Sequence, residues 1–337
     1  MRYNEPEGHL DALVDEVVAL PGVSPRSRIC GLTYKESTTL ERFHQRGFLQ
    51  VTELSSSADF QITDASAGLE TIQARITPGV ADALVERHGT FDVVLVRHLL
   101  EHSHDLTNFL AAVRRLAATD GYIIFEVPDC TTMFSVTDYS FLWEDHISYF
   151  TPTTLARTLR QHRLHPQQML TYPYALENSL VAITSRNHAS PSGGELPGTS
   201  SIDRYAASFP HIRDMWTQKL TELKQQGPIA ILGAGHLAVT FINLLGVEPL
   251  IDYVCDDAAD KVNRIVPGTQ LRISPSQSLL QHSVNVCLMA VAVESEPKVL
   301  TRNQEFIQRG GRFASIFGAS EYALQLDSAN NREPGET

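Results

Sequence analysis

Two periods alternate along the first 130 residues. "HLDALVDEVVAL" (9–20) sets Leu10, Leu13, Val17 and Leu20 at helical spacing, and "PGVSP" stops it. "SRICGL" (27–32) reads as a buried strand, and "STTLERFHQRG" (37–47) as a helix closed by Gly47. "FLQVTEL" (48–54) is a strand that ends on an acid, Glu53, and "FDVVLVRHLLEH" (91–102) is a strand running into a loop or helix start. "LTNFLAAVRRLAATDG" (106–121) predicts an amphipathic helix stopped by Gly121, and "YIIFEVPD" (122–129) a further strand. Repeated β-α-β order predicts a parallel sheet with helices on both faces. Ligands in such sheets sit at the carboxyl ends of the strands, which here carry Gly31, Glu53, the segment after Val96, and Pro128–Asp129.

A break follows. "HASPSGGELPGTS" (188–200) has linker composition, and residues 201–227 read as a mostly helical connection. The pattern then restarts: "PIAILGAGHLAVTFINLLG" (228–246) is strand, glycine turn and helix, and "PLIDYVCDDAADKV" (249–262) is a strand ending in two aspartates. "VNVCLMAVAV" (284–293) and "GRFASIFG" (311–318) complete the strands. The expected organisation is an α/β domain over 1–187, a linker and connecting helix over 188–226, a smaller α/β domain over 227–325, and a disordered polar tail over 326–337.

Composition narrows the function. The chain has 337 residues, with 27 Lys and Arg against 39 Asp and Glu, a formal charge of −12. Nucleic acid and anionic membrane surfaces are therefore not expected partners, since both need cationic side chains against phosphate. A small anion is compatible, because helix N-terminal amides hold one without net positive charge. Cys30, Cys130, Cys255 and Cys287 form no C-x-x-C pair, which argues against a zinc knuckle or a disulfide framework. The N-terminus has no apolar signal core, and no apolar run reaches the ~20 residues of a membrane span. A cytoplasmic location is the expectation, and oligomeric state is left open.

The first domain places a turn after strand one, an acid at the end of strand two, and "RHLLEH" (97–102) after a later strand. Class I S-adenosylmethionine (SAM) methyltransferases share this layout. "FDVVLVRHLLEHSHDLTNFLAAVRRLAATDGYIIFEVPD" (91–129) followed by "WEDHISYFTP" (143–152) resembles the sugar C-methyltransferases that act on nucleotide-linked keto-deoxysugars. That resemblance spans nearly the whole chain. It implies an α/β fold in which a class I methyltransferase-like Rossmann domain precedes a second, smaller Rossmann-like domain. It also implies SAM as cofactor, a nucleotide-sugar as small-molecule substrate, His146 as general base, Asp145 as its neighbouring acid, and Trp143 at a substrate position where the family has tyrosine. Gly31, Glu36, Glu53, Arg97 and His98 then become the expected cofactor residues. Asn178, within "LENSL", stands where the family has an H-G-G-S-type substrate segment. Two features depart from the family: there is no cysteine-rich zinc-binding segment, and "TYKESTTL" replaces a motif like A-S-N-D-G-T-L-L, with Glu36 at its acidic position and Ser37 at its glycine.

The residues have a chemistry of their own. Making a carbon nucleophile beside a ketone needs a base for a carbon-bound proton, and imidazole titrates in the right range. His146 would take that proton, and Asp145 or Glu144 would raise its basicity. Tyr149 would hydrogen-bond the enolate oxygen or pack in a core. The alternative for "WEDHISYF" (143–150) is plain packing of Trp143, Ile147, Tyr149 and Phe150. His98 and His102 would share a face if helical, but no third ligand is evident, and no metal is expected.

"GAGHLA" (233–238) fits the G-x-G-x-x-G/A fingerprint. Gly233, Gly235 and His236 would hold a nucleotide-sugar diphosphate, or an NAD pyrophosphate with Asp256 or Asp257 on the ribose, or build only a turn. Three functions follow in order: C-methylation α to a carbonyl, a degenerate non-methylating homologue that binds a ligand or partner, and an NAD-dependent oxidoreductase.

Overall fold

A computed structural model describes residues 7–64, 67–143, 145–174, 177–186 and 200–326. Most of the expected linker, the tail beyond residue 326 and Glu144 lie outside the described residues. The chain divides into two compact units, Met1–Thr132 with Asp145–Pro197, and Met133–Glu144 with Gly198–Thr337. The second unit thus takes the helix expected as a connector, together with a twelve-residue piece from inside the first half.

In the first unit the order is α1 (Leu10–Val18), β1 (Arg28–Gly31), α2 (Ser37–Gln45), β2 (Gln50–Glu53), α3 (Leu69–Arg75), α4 (Pro78–His88), β3 (Phe91–Arg97), α5 (Leu106–Leu116) and β4 (Ala117–Asp129). Then come α6 (Thr131–Val136), which passes into the second unit at Met133, and, back in the first, α7 (Pro152–Gln161), β5 (His165–Tyr172) and β6 (Asn178–Ser185). The six strands run β2-β1-β3-β4-β6-β5. β1 is parallel to β2 and β3, and β3 to β4, while β6 runs antiparallel to both β4 and β5. The sheet is therefore mixed, not all parallel. Its antiparallel edge went unread because β5, "HPQQMLTY", is polar on its exposed positions and lacks a strong strand period.

Helices cover both faces. On β3, Val94 and Val96 pack with Phe109, Leu110 and Ile72 from α5 and α3, while Val93 and Leu95 pack with Leu13, Val17 and Phe43 from α1 and α2. Strict alternation would mark one wet face; here both sets are apolar, as a doubly covered strand requires. A second correction concerns the helix expected over 106–121. It ends at Leu116, and β4 starts at Ala117. Gly121 is inside the strand, where a Cβ would stand 2.9 Å from the Asp92 carbonyl oxygen, beside a register shift between Phe91 and Val93.

A polar cluster is buried at the carboxyl ends of these strands. Glu126 of β4 is fully enclosed. Its carboxylate takes the Arg97 guanidinium, the His9 imidazole at 2.9 Å and the Ser179 hydroxyl at 2.8 Å. The Tyr174 hydroxyl accepts from the His9 amide and lies 2.7 Å from His9 Nδ1. Nε2 faces the Glu126 carboxylate, which can only accept, so Nε2 carries a proton, and in the neutral ring Nδ1 accepts from the Tyr174 hydroxyl. Burial alone would raise the Glu126 carboxyl, but the Arg97 charge and the bonds from His9 and His98 outweigh it and hold the group well below its ordinary range.

Arg97 ties this cluster to the loop after β1. Its guanidinium donates to the Lys35 carbonyl and Thr39 Oγ1, and its backbone amide donates to Glu36 Oε1 at 2.7 Å. Glu36 Oε2 accepts the Thr33 amide and hydroxyl, closing a T-x-x-E capping box. Burial pushes the Glu36 carboxyl up to about 7 against the pull of the Arg97 and Thr33 donors. Gly31 is small because Glu36 lies over it: a Cβ there would stand 2.7 Å from Glu36 Cβ and 3.0 Å from Leu40 Cδ1.

In the second unit α8 (Ser200–Gln226), β7 (Ile229–Leu232), α9 (His236–Leu245), β8 (Tyr253–Cys255), β9 (Ile273–Ser274), β10 (Val286–Met289), α10 (Glu296–Arg302), α11 (Gln304–Gln308) and β11 (Arg312–Ser315) follow in order. Its five strands run β11-β10-β7-β8-β9, all parallel. Aromatic contacts hold the inserted piece in this unit: the Tyr139 and Tyr205 rings lie 4.3 Å apart, and Phe141 stacks on Phe317 at 5.6 Å.

Two outcomes are expected. Gly31→Ala forces Glu36 or Leu40 to shift and should cost ~1–3 kcal/mol, read from the urea midpoint. Glu36 ionises at an ordinary 4.5 when unfolded but near 7 in the fold. Its contribution to stability is therefore full below about 4.5 and is lost as pH rises to about 7, a swing of ~3 kcal/mol. Glu36→Gln should flatten the stability profile between about pH 5 and about 7; an unchanged slope would mean that Glu36 is already ionised in the fold.

Candidate functional site

The expected site residues fall into three groups. Gly31, Glu36, Glu53, Arg97 and His98 meet at the carboxyl ends of β1, β2 and β3. Glu36 accepts from the Arg97 amide and from Thr33, while the Arg97 guanidinium is paired with Glu126. Glu53 is different: it is exposed at the end of β2, with the Ser37 hydroxyl donating to it. Asn178 opens β6, and its Oδ1 accepts from the Tyr174 amide at 3.2 Å.

The second group forms around the turn after β3. His98 sits in a left-handed conformation, φ 47°, and Leu100–His102 make a single 3-10 turn. His98 and His102 thus do not share a helix face as the sequence allowed. His98 instead lies between two buried carboxylates, with Nδ1 3.4 Å from Glu101 and Nε2 3.3 Å from Glu126. Against this turn lies the segment from Asp145 to Phe150. Ile147 and Ser148 donate their amides to the Glu101 carbonyl, at 2.8 and 3.0 Å. Phe150 bridges to Asp129 at the end of β4, and the Cys130 amide donates to its carbonyl. Thr151 then caps α7, with Pro152 in the helix's first turn. The segment is pinned at both ends, and of its apolar residues only Phe150 is buried, whereas Ile147 is 45% exposed. Packing alone does not account for it.

This pinning brings His146 to His102, ring centroids 4.9 Å apart and nearly perpendicular. Tyr149 is farther, 6.0 Å from the His146 ring. His102 Nδ1 lies 2.9 Å from the Asp145 carbonyl oxygen, which can only accept, so Nδ1 carries the proton. Glu101, Glu70 and Asp145 complete the cluster. Donor atoms of Glu101, His102 and His146 lie within 4.8 Å of one another, as do those of Glu70, His102 and Asp145. Burial pushes the Asp145 carboxyl up to about 6, helped by its bond with Glu70, whose own carboxyl is lowered against its burial by that bond. Burial would raise Glu101 too, but His98, His146 and His102 hold it below its ordinary range.

Sequence reasoning missed Glu70, and it placed Glu101 near His98 and His102 without giving it a role. Glu101 stands inside "RHLLEH", but only the return of residues 145–148 shows what it faces. Glu70 is in a helix that carried no sequence signal.

The third group is in the second unit. Trp143 stacks on His236, centroids 3.8 Å apart and 6° from parallel, and His236 Nε2 is 3.1 Å from the Leu142 carbonyl oxygen. Gly233 has φ +103°, and a Cβ there would stand 2.7 Å from the Ala290 carbonyl oxygen, so this glycine serves the crossing of two loops. Gly235 faces open space. The acids of the redox alternative are occupied. Asp256 accepts from the Ala234 amide and from Lys261, both at 2.8 Å, and Asp257 accepts the Ser276 amide and hydroxyl.

Comparison with known proteins gives two family models in succession. A methyltransferase domain model matches residues 12–165, and a C-methyltransferase C-terminal domain model matches 194–317. The C-methyltransferase NovU of Streptomyces niveus is 22% identical over 319 residues, which cover 90% of this chain and 76% of that protein. Among solved structures, the Burkholderia thailandensis 1,6-didemethyltoxoflavin-N1-methyltransferase is 14% identical, with 53% of this chain and 77% of that one covered at a TM-score of 0.35. A SAM dependent methyltransferase from Archaeoglobus fulgidus is 12% identical, with 53% and 94% covered, also at 0.35. The first unit is a class I methyltransferase-like Rossmann domain. With a match to the C-methyltransferase C-terminal domain behind it, the chain is a methyltransferase enzyme similar to the C-methyltransferases.

Proposed function

We propose that this methyltransferase uses SAM to methylate a carbon α to a carbonyl, on a nucleotide-linked keto-sugar or a related biosynthetic intermediate. The observation that carries this reading is the imidazole–carboxylate cluster of Glu70, Glu101, His102, Asp145 and His146 at the carboxyl end of the methyltransferase sheet. Methylation of an oxygen or nitrogen needs only a lone pair; methylation of such a carbon first needs a proton removed from it.

The donor set suits SAM at the ribose end. Glu53 presents an exposed carboxylate at the end of β2, the acceptor that a vicinal diol requires, with Ser37 beside it. Gly31, Glu36, Arg97 and His98 form the floor next to it. When bound, SAM supplies an electrophilic methyl group on a sulfonium. The chain's own residues do the rest. His146 and Asp145 are the groups positioned to take the carbon-bound proton, and Tyr149 would donate to the oxygen that becomes negative. In the second unit, the amides at the N-terminus of α9, beside Gly235, have the chemistry for a diphosphate. Trp143 and His236 offer a stacked aromatic surface next to it.

One observation favours a second reading, a homologue that binds without methylating: Glu36 closes over Gly31, where glycine-rich loops leave backbone open. Calorimetry with S-adenosylhomocysteine separates the two. Micromolar binding that falls ~10-fold or more in Glu53→Ala is expected for the enzyme, since a hydrogen bond to a charged group is worth about 1.5–3 kcal/mol. His146→Ala should keep that binding and lose about 10²–10⁴-fold in S-adenosylhomocysteine release against a panel of nucleotide-linked keto-sugars. No binding at millimolar ligand would favour the non-methylating homologue.

A further inference from the structure

Glu101 poses a problem that the methylation chemistry does not solve. Its side chain is 1% exposed, and among the described residues neither carboxylate oxygen has a hydrogen bond of ordinary length. The His98 imidazole stands 3.4 Å from Oε1. Buried carboxylates are ordinarily saturated with donors, because an unsatisfied one forfeits its hydration. What Glu101 faces instead is two imidazoles, His102 and His146, with donor atoms of all three residues within 4.8 Å.

We propose that Glu101, His102 and His146 bind a divalent first-row transition-metal ion, leaving its remaining coordination positions open to an oxygen of the acceptor.

Three features support this. One carboxylate and two imidazoles form a ligand set used for such ions, whereas magnesium and calcium take oxygen ligands. The His102 ring is oriented as ligating imidazoles are. Its Nδ1 proton goes to the Asp145 carbonyl, so its other nitrogen carries the lone pair. The loop that brings His146 is fixed by two amide bonds to the carbonyl of Glu101 itself, so the two ligands are held by one backbone contact. The competing account is that protonated imidazoles alone balance Glu101.

The binding site does not depend on the methylation reading, but its consequence for the reaction does. With the ion seated, His146 is a ligand, and the carbonyl oxygen of the acceptor takes an open position. The α carbon–hydrogen bond then breaks with its proton going to the Asp145 carboxylate. Its electron pair moves into the enolate, whose oxygen the ion holds.

The test uses tag-free full-length protein, stripped with a chelator and titrated with manganese(II) by calorimetry and with cobalt(II) by visible absorption. The four cysteines are buried and offer no accessible thiolate to compete. One ion per chain at micromolar affinity or tighter is expected, with at least 10-fold weaker binding in Glu101→Gln and in His146→Ala. Glu53→Ala should bind as the unaltered chain does. Circular dichroism checks that the variants fold, and His146, on a surface loop, serves where Glu101→Gln does not. Absence of stoichiometric binding, or equal affinity in a folded Glu101→Gln or His146→Ala, overturns the site and leaves the protonated imidazoles as the partners of Glu101. S-adenosylhomocysteine calorimetry on the same samples keeps the outcomes distinct: binding lost there sinks the methylation reading, whereas manganese binding lost alone sinks only the metal.

Discussion

The carboxylate of Glu126 has no route to water, and the end of the sheet is arranged around that fact. An isolated charge at this depth would cost several kcal/mol, so the group exists only with Arg97, His9 and Ser179 in place. These partners come from β3, from the start of α1 and from β6, which fixes three separate stretches of chain against β4. Removing one member of such a set strands the others, at about 3–5 kcal/mol for a buried ion pair. The mixed order of the sheet has its reason here as well, since β6 must lie beside β4 for Ser179 to reach Glu126.

From this centre two arms extend. Through Arg97 the network reaches Glu36 and closes the loop after β1, so that a capping box takes over the shaping that glycines give to such loops. Through His98 it reaches Glu101, and so the second cluster. The left-handed backbone at His98 is the bend that lets one imidazole touch both carboxylates. The first arm is closed by hydrogen bonds, and the second ends on Glu101 with the longer contact from His98.

The second unit shows how a fingerprint can be used for construction. In "GAGHLA" the first glycine is taken up by a crossing loop, and the aspartates after β8 tie down their own neighbourhood. Only the flank at Gly235 stays open. A motif that reads as a dinucleotide loop here has its first glycine and both following aspartates engaged in building the turn.

The alternation of apolar residues was enough to determine two α/β units, the strands β1 to β4 and β7, and the carboxyl ends where chemistry would lie, because helix and strand periods are local properties of burial. The segment "WEDHISYF" stood out only through its resemblance to a known family, and the turn "RHLLEH" through its place after a strand. Local pattern was not enough for the antiparallel edge, whose polar outer face hides its period, nor for the end of α5, where the chain passes into β4 without a break. The site itself was decided by tertiary structure. Trp143 and Asp145 are two residues apart and belong to different units; Glu101 and His146 are 45 apart in number and face one another. What a side chain faces depends on which distant segment is pinned beside it, here by two amides on the Glu101 carbonyl, and no spacing along the chain carries that information.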